Sequence, residues 1–334
     1  MKSKLIRVLL WTLPLILALV SIGIGRYQVD FMVQIKILLS QVFPIEQTWT
    51  NTEETVVMNV RLPRIMLAML IGAGLSIAGA SFQGMFANPL VSPDILGVAA
   101  GAGFGASIGI LFFGNNIYTQ ISALIMGMLA IGFTFLIGGF KREMPVFMLV
   151  LAGVVTSALF EALISLVKFM ADPEEKLPSI TYWLMGSLGT ASYRDLMIAG
   201  PLILIGIVIL YSLRWRLNIL SLSEEEAKSL GISVTKLKWL VIIGATLITA
   251  SAVATAGIIG WVGLIIPHIA RMIVGSNNQY VLPASISIGA MYLLLIDNLA
   301  RSLTAAEIPL SILTAIIGAP FFAYLLRKTG GGWG

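Results

Sequence analysis

Ten long apolar stretches divide the chain, at approximately 8–25, 62–83, 95–113, 117–140, 144–167, 196–213, 239–258, 259–274, 281–299 and 308–326. A helix needs roughly 20 apolar residues to cross a hydrocarbon core. In that core every backbone N–H and C=O must be bonded within the protein, which leaves helices and closed barrels. Barrel strands are short and alternate in polarity, whereas these runs are unbroken. The expected fold is therefore all-α, a polytopic membrane protein with about ten transmembrane helices in one domain, 1–334. Composition agrees, with 58% hydrophobic and 11% charged residues, against roughly 25% charged in soluble domains. Residues 31–43 include Lys36 and are too short to span, so they read as an interfacial segment. Residues 259–274 are short and carry Pro267, which predicts a broken or tilted span. Residues 1–25 have no small-residue cleavage site and are expected to be an uncleaved first span.

Basic residues orient the chain, because cytoplasmic loops are enriched in Lys and Arg. With both termini inside, 13 of the 21 Lys and Arg residues fall inside. Arg61 and Arg64 then fall outside, against the bias. The net charge of +5 belongs to groups flanking apolar runs, so it points to membrane orientation and lipid rather than to nucleic acid.

Small residues predict where helices approach closely. Gly97, Gly101, Gly105 and Gly109 recur every fourth residue, and Gly72, Ser76 and Ala80 do likewise. A shift of 178 residues lays Gly79 on Gly257, Pro89 on Pro267 and Gly97 on Gly275, a faint sign of an inverted repeat of the kind found in transporters.

Chemistry is sparse. There is no cysteine and one histidine, no metal-ligand spacing and no phosphate-binding G-x-x-x-x-G-K-[ST] loop. No catalytic residue or metal site is expected, and if ATP drives the protein, ATP and magnesium are bound by another polypeptide. The longest polar interruption on the inside is 214–238. Within it "SEEEAKSLG" reads as a short helix capped by Ser223 and ended by Gly231, either a solvated loop or a docking element. Arg61 and Arg64 are three apart, hence on one face of a helical turn, with Asn59 as a candidate cap and Pro63 in the first turn. Glu161 lies mid-span, where an acid is by default a functional candidate. As a pathway carboxylate it would disfavour strongly anionic cargo. Pro267 frees a carbonyl that His268 or Arg271 could satisfy, unless they hydrogen-bond between helices instead.

The stretches "RLPR", "GAGLSIAGASFQGMFANPLVSPDILGVAAGAGFG", "SEEEAKSLGI", "GIIGWVGLIIPHIARMIVG" and "DNLARSLTAAEIPLSILTAIIGAPFFAYLL" resemble the FecCD family, permeases of ATP-driven importers for iron–siderophore complexes, haem and vitamin B12. The resemblance covers roughly 55 to 328. It implies the type II importer permease fold, two permease subunits with the pathway between them, two cytoplasmic ATP-binding subunits and an extracytoplasmic substrate-binding protein. It implies that Arg61, Arg64 and Arg301 meet glutamates of the binding protein. Lipid anchoring is the alternative for the pair, and an i,i+4 pair with Asp297 for Arg301. Ser223, Glu224, Ala227, Leu230 and Gly231 match the segment that contacts the ATPase. Residues 168–189 match a re-entrant helix near an outer gate, where Tyr182 and Met185 would touch cargo or else form an interfacial belt. Asn88, Pro89, Pro267, His268 and Arg271 are motif residues with a structural role.

The expectation is thus a permease subunit importing a ferric siderophore across the cytoplasmic membrane of a bacterium. Vitamin B12 and haem are alternative cargoes, and an ion-coupled secondary transporter is the alternative class.

Overall fold

The computed structural model describes residues 4–139, 146–221, 226, 231 and 233–329. All ten expected segments are helices: α1 (Lys4–Gly23), α3 (Asn51–Phe86), α4 (Val98–Phe113), α5 (Ile117–Gly138), α6 (Val146–Met170), α8 (Tyr193–Leu213), α9 (Val234–Ala256), α10 (Val262–Val274), α11 (Asn278–Ser302) and α12 (Leu310–Thr329). Two short helices are added, α2 (Phe31–Ser40) and α7 (Lys176–Leu184). Among the described residues no strand occurs. Six helices (α3, α5, α6, α8, α9 and α11) are long and apolar enough to cross a membrane, and the other four expected spans are shorter apolar helices.

Helix α3 is the axis of the fold. It is apolar all round and 83% of its apolar window is buried, against 28% for α5. Lipid tails are as apolar as leucine, so burial of hydrocarbon does not drive such helices together; close backbone contact does. A Cβ on Gly72 would lie 2.2 Å from Gly289 O of α11, and one on Gly79 only 1.9 Å from Gly263 O of α10. The fourfold spacing in α4 works the same way: Gly101, Gly105 and Gly109 lie against Met126, Ser122 and Thr119 of α5. Gly97 differs, since it precedes α4 in the left-handed region with φ +80°.

Three local expectations are corrected. The α3 helix starts at Thr50, whose capping box with Glu53 closes its first turn, so Asn59 is no cap. Asn59 lies inside a π-helical turn, Val56–Arg61, that hands over to the α-helix just before Pro63. A ring without N–H breaks the i→i−4 ladder, and the wider turn absorbs that break, with Leu62 N–H bonding back to Val57 O. Secondly, α10 is a continuous helix of 13 residues despite Pro267. Thirdly, the 178-residue register does not match local structure. Gly79 lies inside α3 while Gly257 ends α9 at φ +72°, and Pro89 is in a turn while Pro267 is helical.

Helix α1 is tied to α11. Pro14 cannot donate to Leu10 O, and Ser287 Oγ of α11 donates to that carbonyl instead.

Candidate functional site

The three arginines expected to meet a binding protein lie at one end of the bundle, and all are buried: Arg61 is 3%, Arg64 5% and Arg301 6% exposed. They do not form one face. The Arg61 guanidinium turns toward α1, donating to Ile22 O at 2.6 Å and to Tyr27 O. Arg64 turns toward α11 and the loop after it. It donates to both oxygens of Asp297, with Nη2 at 2.8 Å, and to both oxygens of Glu307 at 2.7 and 2.9 Å. Arg301 donates to Ser21 O at 2.8 Å and Asn298 Oδ1 at 2.5 Å, and its Nε lies 3.8 Å from Asp297 Oδ2. Three guanidinium groups thus share two carboxylates and a row of α1 carbonyls. In this arrangement they are occupied within the chain and do not face solvent, whereas the resemblance implies that they meet glutamates of a binding protein. The i,i+4 pair of Arg301 with Asp297 is present.

Glu307 is the one partly exposed member of the pair network, with 30% of its side chain accessible. Burial works to raise its pKa, but the hydrogen bonds and charge of Arg64 outweigh burial and hold the carboxyl below its ordinary value. Exposed Arg26 donates to Thr304 O in the same loop. This loop is also bonded to the segment after α7. Leu310 N donates to Gly186 O at 2.9 Å, Ser311 N to Met185 O at 3.2 Å, and Ser187 N to Ala256 O at 2.9 Å. The ends of α7, α9 and α12 are therefore joined backbone to backbone, with Glu307 Oε2 packed where a Cβ of Gly189 would be.

Helix α7 has nine residues, too few to span, as the re-entrant expectation required. Tyr182 is exposed and Met185 is the half-buried C-cap of α7. Tyr182 lines a cavity of about 350 Å³ with Asn115, Gln120, Ser179, Ser187 and Thr190, and none of its lining residues is charged. Met185 does not line it. Glu161 is exposed on α6, and Val154, Leu159, Leu166 and Phe169 of the same helix are exposed as well. It is not brought together with Tyr182 in that cavity.

Ser223, Glu224, Ala227 and Leu230 lie outside the described residues. Gly231 has φ +73°, and Ser233 caps α9. Asn88 and Pro89 form the turn that ends α3. Ala87 is left-handed, Asn88 N bonds back to Gln83 O, and Asn88 Oδ1 accepts from Leu90 N at 2.9 Å. The carbonyl freed by Pro267 is Gly263 O, which faces Gln83 of α3. Gln83 Nε2 of α3 lies 3.5 Å from Gly263 O and 3.2 Å from Leu264 O, while Arg271 Nη1 donates to Gln83 Oε1 at 2.5 Å. One amide thus joins the two helices and orients the arginine. Gln83→Leu is expected to cost about 1–3 kcal/mol by leaving buried groups unpaired, read as a lowered midpoint in detergent unfolding. An unchanged midpoint would mean that water replaces the amide.

Sequence reasoning missed Gln83 and Glu307 and gave Asp297 only its local partner. The available signal was polar side chains beside apolar spans, which must pair inside the protein. Among the described residues no cluster could hold a metal ion.

Residues 13–328 match the FecCD transport family. The chain is 46% identical over 325 residues to the molybdate import system permease protein MolB of Haemophilus influenzae, covering 95% of this chain and 93% of that one. It is 40% identical over 278 residues to a probable iron chelatin transport system permease protein of Helicobacter pylori, covering 83% of each. Among solved structures, it resembles an inward-facing conformation of a putative metal-chelate type ABC transporter, with TM-score 0.87 and 44% identity over 98% of this chain and 100% of that one.

Proposed function

The chain belongs to the FecCD transport family of ABC importer permeases, and from that premise we propose that it imports a metal-bearing solute, molybdate or a ferric chelate. The carrying observation is likeness over nearly the whole chain to a metal-chelate type transporter. The chain supplies the membrane path; partner ATPase subunits bind ATP and magnesium themselves and contact this chain through the segment around 223–231. The exposed apolar face of α6 suits a second permease subunit. The cargo path between two subunits alternates because nucleotide and the loaded binding protein favour different states of the dimer. Arg61, Arg64 and Arg301 serve docking indirectly, by fixing the outer loop that presents Glu307 and Arg26.

Two features pull the cargo reading apart. The uncharged cavity beside α7 offers amides and hydroxyls, a set that can hydrogen-bond an oxyanion, and the relative of 46% identity is a molybdate permease. Glu161, exposed on α6, would oppose an anion on a shared path and favours a ferric chelate. The deciding experiment is pull-down of the tagged chain from its own membranes, with mass spectrometry of subunits and elements, followed by uptake in proteoliposomes. ATP-dependent uptake with a copurified ATPase is expected, and molybdate should compete better than ferric hydroxamate. The reverse order of competition would make the cargo a ferric chelate, as the sequence suggested. Uptake on an ion gradient without ATP or an ATPase would overturn the importer reading.

A further inference from the structure

A groove of about 210 Å³ opens on the bundle at the junction of α1, α8 and α11. It lies at the end that carries the start of α1, the end of α8 and the start of α11, opposite the arginine network. Its walls divide by chemistry. Leu10 and Trp11 of α1 give an apolar side, and Trp11 is 57% exposed. Tyr211 and Arg214 at the end of α8, with Gln279 and Tyr280 at the start of α11, give a polar rim. The position of α1 at the groove is set by the bond from Ser287 to Leu10 O.

The rim has hydrogen-bonding capacity that the protein leaves unused. Arg214 stacks at 4.1 Å over the Tyr211 ring and spends one N–H on Tyr211 O, at 2.8 Å. A guanidinium has five N–H donors, so four remain. Among the described residues Arg214 has no acidic partner, and no carboxylate lines the groove. The stack fixes the guanidinium plane, which favours bidentate contact with phosphate oxygens. Aromatic side chains with one wet and one apolar edge favour the headgroup level of a bilayer. A cation with no acidic partner among the described residues, beside aromatics and above an apolar wall, matches a molecule with an anionic head and acyl chains.

We propose that this groove binds one anionic phospholipid of the leaflet at this end of the bundle, its phosphate on Arg214 and its acyl chain along Leu10 and Trp11. By the basic-residue bias that leaflet is the cytoplasmic one. The test reads lipid retention rather than uptake, so it stands apart from the importer reading. Full-length protein is delipidated in mild detergent and offered phosphatidylglycerol or phosphatidylcholine with identical chains, and bound lipid is counted by native mass spectrometry. The wild type should retain one phosphatidylglycerol with about a fivefold preference, the scale expected for one basic group at an anionic headgroup. Arg214→Gln should abolish the preference, while Arg214→Lys and the nearby Arg216→Gln should keep it. Preference unchanged in Arg214→Gln overturns the site. Displacement of the lipid by millimolar inorganic phosphate overturns the lipid as its occupant.

Discussion

Arg64→Ala will destabilise the protein by about 3–5 kcal/mol, because it leaves two carboxylates without their shared cation in a place with little water. Asp297 is 0% exposed and has Arg64 at 2.8 Å. Arg301, its other cation, stands 3.8 Å away and is held by Ser21 O of α1 and Asn298 Oδ1. The measurement is the unfolding midpoint in mixed detergent, for Arg64→Ala, Asp297→Asn and the double variant. The double should lose less than the sum of the singles, since each single strands a charge that the other removes. A loss below about 1 kcal/mol for the single would place the pair in the class of solvated surface bridges. The same variant should loosen the 303–309 loop, seen as faster proteolysis there.

The second large effect is expected from a single methyl group. Gly79→Ala places a Cβ at 1.9 Å from Gly263 O, and Gly72→Ala one at 2.2 Å from Gly289 O. Both obstacles are backbone, so the helices must separate along their length. Overpacking typically costs about 1–3 kcal/mol and more when the backbone must move, and these contacts sit on the most buried helix. Either variant should lose most of its monodisperse peak on size-exclusion chromatography. Gly132→Ala is the control: nothing lies within 4 Å of its Cβ, and alanine favours a helix by about 1 kcal/mol over glycine. Normal behaviour of Gly79→Ala would show that α3 and α10 are further apart than described.

The helices were legible because a bilayer leaves few options for an apolar run of this length, and all ten expected segments are helical. The small-residue faces were legible for the same reason. What could not be read was the direction of each polar side chain. Arg61 and Arg64 are three apart, which on a regular helix means one face. The π-turn that ends at Arg61 and the separate acceptors on α1 and α11 send them apart. Asp297 was found as a neighbour of Arg301 in sequence, but its stronger partner lies 233 residues away. Gln83 was visible as an amide within an apolar helix, but such an amide does not name its partner. Family resemblance singled out three arginines that lie at one end of the bundle. It did not reveal that their charges are spent inside the chain.

The clasp between α1 and α11 bears on how the chain is made. Ser21 and Leu10 of α1 receive their hydrogen bonds from Asn298, Arg301 and Ser287, at separations of 277 and 280 residues. Early in synthesis helix α1 can be clasped through Arg61 of α3, which donates to Ile22 O, while the carbonyl above Pro14 waits for its partner until α11 has been synthesised.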